Sequence, residues 1–295
     1  MMNPSEINTS EPLFMKIIRL LRWDKPAGRL ILMIPALWAV CLASNGHPPA
    51  LLIGIIILGT LATSGAGCVV NDLWDRDIDP LVERTKKRPL ADRSLTVKTG
   101  IIVGLIAFLS AGLLTIYLTP LSFWLSVAAV PVIIAYPLAK RVFPIPQLVL
   151  SIAWGFAVLI SWSAVTGNLQ PATWLLWGAT VLWTLGFDTV YAMSDRPDDL
   201  QVGVKSSAIF FGNYVTEAVG IFFLGTTILL GLLGKNLNLS LGFWLSLAIA
   251  LILWGKEYYQ LKFQESEKPY GQIFRENVTI GFILLVGMIG GLVFH

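Results

Sequence analysis

Charge is what this sequence has least of. Lys, Arg, Asp and Glu together supply 13% of its 295 residues, where a soluble domain carries about 25%. Hydrophobic residues reach 55% and mean hydropathy is +0.72. A pair of soluble domains is therefore excluded in favour of a chain that crosses a bilayer repeatedly. Cysteine is nearly absent as well. Cys41 and Cys68 each lie in apolar stretches, which excludes a disulfide framework and makes them small buried hydrophobes. His47 and His295 are isolated, too few to build a zinc site. Met1 to Glu11 are polar, and no short apolar core there leads to a small-residue cleavage site. No cleavable signal peptide is expected; residues 1–15 read as a disordered head and 16–295 as a single domain. Basic and aromatic residues are not interleaved, so nucleic acid is not expected as a partner.

Apolar runs are what the chain has in abundance. Runs of about 17–25 residues suffice to cross a bilayer. They recur near 27–44, 50–70, 99–118, 121–138, 148–166, 172–192, 214–233, 239–255 and 277–294. The expected fold is an all-α membrane protein with nine transmembrane helices. Alternating the loops then puts every one of the 21 Lys and Arg residues except Lys235 on the N-terminal side. By the positive-inside rule the N-terminus is cytoplasmic, and the excess of basic charge reports topology. The opposite loops, Ser44–Pro49, Thr166–Gln170 and Gly234–Asn238, are short. Trp38, Trp124, Trp162, Trp174 and Trp254 fall near span ends and read as interfacial anchors.

The second apolar run ends in Asn71-Asp72-Leu73-Trp74-Asp75-Arg76-Asp77-Ile78-Asp79. On a helix advancing about 100° per residue, Asn71, Asp75, Asp79 and Asp72 share one arc and Asp77 points roughly away. Carboxylates crowded on one face need a cation. Hard oxygen ligands suit Mg²⁺, which takes one or two carboxylates and shares substrate phosphates. The sixth run ends in a second cluster. Asp188 and Asp195 are seven apart and share a face, and Asp199 continues it beyond Pro197. An Asp inside an apolar run needs an aqueous cavity or a partner. Four spans separate the clusters, so both lie on the cytoplasmic side and together can grip one diphosphate.

A basic loop follows the first cluster. Arg84 and Arg88 are four apart, and their forked guanidinium groups match phosphate oxygens. Lys140 with Arg141, and Lys205, are further candidates. The Gly203-Val204-Lys205-Ser206 stretch is no nucleotide loop, since the first glycine and the preceding strand are missing. Membrane acids also mark ion paths, but a transporter tends to hold its site at the midplane between repeated halves. Here the acids sit at one face and no repeat is visible.

The sequence resembles the UbiA-type intramembrane aromatic prenyltransferases along nearly its whole length. The resemblance is carried by Asp24-Lys25-Pro26 with Gly28, and by Gly67-Cys68-Val69-Val70-Asn71-Asp72. Further along it is carried by Glu83-Arg84-Thr85, Arg88-Pro89-Leu90 and Tyr136-Pro137 with Lys140-Arg141. Asp188-Thr189, Tyr191-Ala192-Met193, Asp195-Arg196, Asp198-Asp199, Gly203 and Lys205-Ser206 are most similar to the branch that prenylates 4-hydroxybenzoate. Several relatives carry Arg where this chain has Ser64.

The resemblance implies nine helices around a central cavity open sideways to lipid. It implies Mg²⁺ on Asn71, Asp75, Asp195 and Asp199, with Asp79 on the same arc. The implied reaction is electrophilic aromatic substitution between a polyprenyl diphosphate and 4-hydroxybenzoate, serving ubiquinone or plastoquinone synthesis. Asp188 or Asp72 is then the base, Asp75 and Asp195 are the essential acids, and Tyr136 or Tyr191 steadies the cation. Homogentisate or a tetrapyrrole is the alternative acceptor within the same superfamily.

Overall fold

The computed structural model describes residues 11–25, 27–263 and 270–293. Most of the expected disordered head lies outside them, as do Pro26 and Lys268. Leu13 to Met15 do not fit that expectation, because they open a helix. The helices are α1 (Leu13–Leu20), α2 (Ala27–Ala43), α3 (Ala50–Trp74), α4 (Val97–Thr115), α5 (Pro120–Val142) and α6 (Pro146–Thr166). They continue as α7 (Pro171–Val202), α8 (Ser207–Phe211), α9 (Val215–Asn236), α10 (Leu241–Phe263) and α11 (Tyr270–Val293). No strand occurs among the described residues. Inside a bilayer only helices and closed barrels satisfy their own backbone.

Local chemistry sets the boundaries. Pro120, Pro146 and Pro171 open α5, α6 and α7, where the missing N–H costs nothing. Gly167 and Gly203 end α6 and α7 at φ 70° and 78°, a left-handed conformation that glycine adopts without strain. Seven helical segments are long and apolar enough to cross a membrane: α3, α4, α5, α6, α9 with the preceding α8, α10 and α11. The chain is therefore a multi-pass membrane protein. Helix α2 is apolar but has 17 residues. Helix α7 runs for 32 residues, ten beyond the expected end at Ala192, straight through Pro197. Helix α1 was not legible as an element. Its Leu13, Phe14 and Met15 are exposed, and Leu20 is fully buried.

The main core lies between α2, α6, α7, α9, α10 and α11. Trp38, Trp162 and Trp254 belong to it and are almost fully buried, which corrects their reading as interfacial anchors; Trp124 and Trp174 are exposed. Three buried indoles are held by specific partners, while the Trp162 N–H has none among the described residues. Trp38 donates to the Gly281 carbonyl at 3.0 Å. Trp183 and Trp254 both donate to Asn277 Oδ1, at 2.8 and 3.1 Å. The Asn277 amide nitrogen donates to both carboxylate oxygens of buried Glu257, at 3.1 and 3.0 Å. This network pins α7, α10 and α11 together. A smaller core joins α1, α3 and α4 through Leu20, Val69, Leu90 and Val103. Between the two cores lies a cavity.

Candidate active site

The cavity has a volume of about 1310 Å³ and is lined by α2 to α7, the start of α11 and the loops around them. One part is apolar, with Leu32, Ile55, Phe108, Leu114, Phe123 and Ile160 on its wall. The other part is ionic. Both acidic clusters contribute to it: Asn71, Asp75 and Asp79 from the first, and Asp188, Asp195 and Asp199 from the second. Thus α3 and α7, far apart in sequence, bring their acid-bearing ends to one chamber.

The first cluster departs from a single helical arc. Helix α3 ends at Trp74 and Asp75 is its cap. The chain then turns, and Asp79 opens a short 3-10 turn. Asp75 is 2% exposed and pairs with Lys140 from α5. Its Oδ1 is buried with no hydrogen-bond partner. Asp79 pairs with Arg88 at 2.8 Å. Burial raises its carboxyl above the ordinary value; the Arg88 guanidinium pulls the other way, while Asp72 and Asp75 add to the rise. Asp77 is exposed and pairs with Arg93 at 2.8 Å, as its place on the helical wheel implied.

Asp72 differs from its reading as a base. It is 1% exposed and does not line the cavity. Arg22 donates to its Oδ1 at 2.5 Å, and Arg88 stands 3.2 Å from the same oxygen. A carboxylate held by two guanidinium groups and kept off the cavity wall has no oxygen free to reach a substrate proton. Asp72 instead fixes Arg22 and Arg88 against the polar wall.

Arg84, from the loop that follows the first cluster, reaches the second. Its Nε and Nη2 fork onto the Asp195 carboxylate at 3.0 and 2.5 Å, and its guanidinium carbon lies 4.7 Å from the centre of the Tyr191 ring. Burial alone would lower its pKa, but the hydrogen bond to Asp195 and the charges of Tyr191 and Asp195 leave it raised. Next to it, the Glu83 amide donates to Asp198 at 3.3 Å. Tyr136 lines the cavity and its hydroxyl lies 3.5 Å from Asn71 Oδ1. Asp188 lines the cavity with no hydrogen-bond partner among the described residues.

Lys205 also lines the cavity, but its ammonium is committed to the Val142 carbonyl at 2.8 Å, and its backbone N–H to Lys140. Instead of standing free for phosphate, it ties the α7–α8 link to the end of α5. Sequence reasoning missed Arg22 and Arg29, both of which line the chamber. Their charge was absorbed into the topology argument. Nothing in the sequence set them apart from the other basic residues; in the structure Arg22 sits at φ 55°, a left-handed conformation that is uncommon outside glycine, where the chain turns between α1 and α2.

The oxygen donors suit Mg²⁺. Asn71, Asp75, Asp195 and Asp199 offer hard ligands from two helix ends, and the unpartnered Asp75 Oδ1 is a buried acceptor aimed at none of the cations present. Among the described residues no three acids converge into a preformed cage. That fits an ion that uses one or two carboxylates and completes its octahedron with water and substrate phosphate.

Comparison with known proteins agrees with this geometry. Residues 32–278 match the model of the UbiA prenyltransferase family. The chain is 70% identical over 284 residues to a 4-hydroxybenzoate solanesyltransferase from Synechocystis sp. PCC 6803, covering 96% of this chain and 97% of that one. It is 39% identical to a 4-hydroxybenzoate octaprenyltransferase from Neisseria meningitidis serogroup B, covering 94% and 96%. Its fold is similar to that of a UbiA homolog from Aeropyrum pernix K1, with TM-score 0.78 at 22% identity over 88% of this chain and 96% of that one. A UbiA homolog from Archaeoglobus fulgidus bound to DMAPP and Mg²⁺ gives TM-score 0.70 at 18% identity, over 91% and 99%. Two acid-bearing helix ends over one half-ionic, half-apolar chamber, matched along nearly the full length, place this chain in the UbiA prenyltransferase family.

Proposed function

We propose that this protein transfers a polyprenyl group from polyprenyl diphosphate to the ring carbon ortho to the hydroxyl of 4-hydroxybenzoate, in ubiquinone or plastoquinone biosynthesis. The observation that carries this reading is that both acidic clusters and the basic loop line one chamber with an apolar wall, the loop tied to the second cluster by the Arg84–Asp195 fork at 3.0 and 2.5 Å. The 70% identity to a 4-hydroxybenzoate solanesyltransferase supports the choice of acceptor.

Asn71, Asp75, Asp195 and Asp199 would hold Mg²⁺, with Asp79 beside them. When bound, the ion supplies positive charge for the leaving diphosphate oxygens. Arg84, Arg88 and Lys140, each now paired with an acid of the site, supply the rest of the positive charge for the diphosphate. The allylic C1–O bond breaks and its electron pair leaves with the diphosphate. The apolar wall excludes the water that would quench C1. Tyr136 or Tyr191, both on the chamber wall, steadies the developing cation. The acceptor ring forms the new C–C bond, and Asp188, which makes no ion pair among the described residues, takes the displaced ring proton. Lys205 and Asp72 act as positioning groups.

We further propose nine bilayer crossings, with α2 and α7 joining the seven apolar segments. The chamber then opens toward lipid for the tail and toward the cytoplasm for the small acid, at the inner membrane of a bacterium. Loop charge supports that orientation.

The test is direct. Purified protein given 4-hydroxybenzoate, a panel of polyprenyl diphosphates and Mg²⁺ should yield 3-polyprenyl-4-hydroxybenzoate by mass spectrometry, and EDTA should remove the activity. Absence of product at every chain length rejects the acceptor assignment.

A further inference from the structure

Among the described residues, one cation on the chamber wall is buried and makes no ion pair. Asp72 answers Arg22 and Arg88, Asp79 answers Arg88, Asp75 answers Lys140, and Asp195 answers Arg84. Arg29, in the first turn of α2, has no such partner. Its Nη2 donates to the Trp23 carbonyl at 2.8 Å, and its Nη1 is buried with no hydrogen-bond partner. Arg29 is 8% exposed, and among the described residues it is the one Lys or Arg that is buried. Burying an unpaired guanidinium is costly, and an apolar side chain at this position would carry no such penalty. A planar fork with one free arm matches a carboxylate.

Its location selects which carboxylate. Arg29 shares a face with Leu32 and Ala36, at the three- and seven-residue spacing of a helix, and all three line the chamber. Helices α2 and α3 are adjacent and antiparallel, packed through Ala36, Val40 and Ile56, so the first turn of α2 lies beside the stretch of α3 that precedes Asn71. The neighbouring lining of α3 is Thr60, Thr63, Ser64 and Gly67, which offers no charge. Diphosphate belongs at the level of Arg84, Arg88 and Lys140. A small aromatic acid placed next to C1 must put its carboxylate deeper, where Arg29 is the available cation.

Resting on the function proposed above, we infer that Arg29 receives the carboxylate of the aromatic acceptor and sets the preference for an acid over a neutral ring. The test compares 4-hydroxybenzoate with 4-hydroxybenzamide in wild type, Arg29→Met and Arg29→Lys, with KM measured separately for acceptor and polyprenyl diphosphate. In Arg29→Met the KM for the acid should rise by about 10-fold to 100-fold, the scale of one lost charge-assisted pair. The KM for the diphosphate should stay within about twofold, and the acid-over-amide preference in kcat/KM should collapse. Arg29→Lys should restore part of that preference. If Arg29→Met fails to insert, the same acid-over-amide ratio is read in Arg29→Gln, which keeps a donor and loses the charge. An unchanged ratio, or a KM rise confined to the diphosphate, overturns the inference while wild-type activity upholds the function. A wild type that prenylates no aromatic acid overturns both.

Discussion

At the scale of single residues, Asp72, Asp75, Asp79 and Asp195 are each held by a particular cation, Asp188 and Asp199 make no ion pair among the described residues, and this division separates their roles. Asp75 and Asp195 line the cavity and are held by side chains from other elements, Lys140 and Arg84. Asp72 is locked outside the lining. The variants Asp75→Ala and Asp195→Ala should therefore abolish turnover while the protein still inserts and elutes as a folded species on size exclusion. Full activity in either contradicts the ligand assignment. Substitution of Asp72 should act differently. It frees two guanidinium groups at 2.5 and 3.2 Å, so the loss should include weaker binding of the diphosphate. Two acidic clusters suited to a divalent cation were legible from residue types and spacing; the set Asn71, Asp75, Asp195 and Asp199 came from the family resemblance. The partners were not legible, because ion pairing across 111 residues, as between Arg84 and Asp195, depends on which helices become neighbours.

At the scale of elements, the apolar runs predicted the helices well, and the misreadings share a cause. The end of α3 was extrapolated as continuous helix to Asp79, but the backbone caps at Asp75 and turns. The end of α7 was placed too early, because polarity was read as a boundary. The helix continues to Val202 since its polar residues face a chamber. Tryptophans were assigned to interfaces on the strength of position, whereas Trp38 and Trp254 have buried hydrogen-bond partners. The close approach of α10 and α11 is a further consequence of residue choice. A Cβ added at Gly287 would lie 2.2 Å from Ser246 Cβ, so this contact requires glycine. Asn277 sits at the same junction with all its polar atoms engaged. Asn277→Leu strands Glu257 and two indole N–H groups, and should lower stability by about 2–4 kcal/mol. Thermal unfolding in detergent measures it, and an unchanged midpoint contradicts the structural role of this network.

At the scale of the whole molecule, the arrangement matches substrates of unlike solubility. A long apolar wall adjoins an ionic mouth, and the loops beside that mouth carry the basic excess. In a variant lacking Cys41 and Cys68, single cysteines report orientation. A cysteine replacing Asn168 should react with an impermeant maleimide in intact cells, and one replacing Lys86 should react only in inverted vesicles. Labelling of both from one side breaks the nine-crossing topology and with it the placement of the mouth in the cytoplasm.

The sequence by itself determined that this is a helical membrane protein, that two acid clusters end two apolar runs, and that arginines follow the first. Those properties reside in composition and periodicity, which local backbone geometry translates directly. Only the tertiary structure decided that Asp72 serves Arg22 and Arg88, that Lys205 is spent on a carbonyl, and that Arg29 stands buried without an anion. Each of these is a relation between side chains on different helices. Helix packing, which depends on the shapes of all the residues together, sets the distances that make one pair an ion pair and leave another cation unanswered.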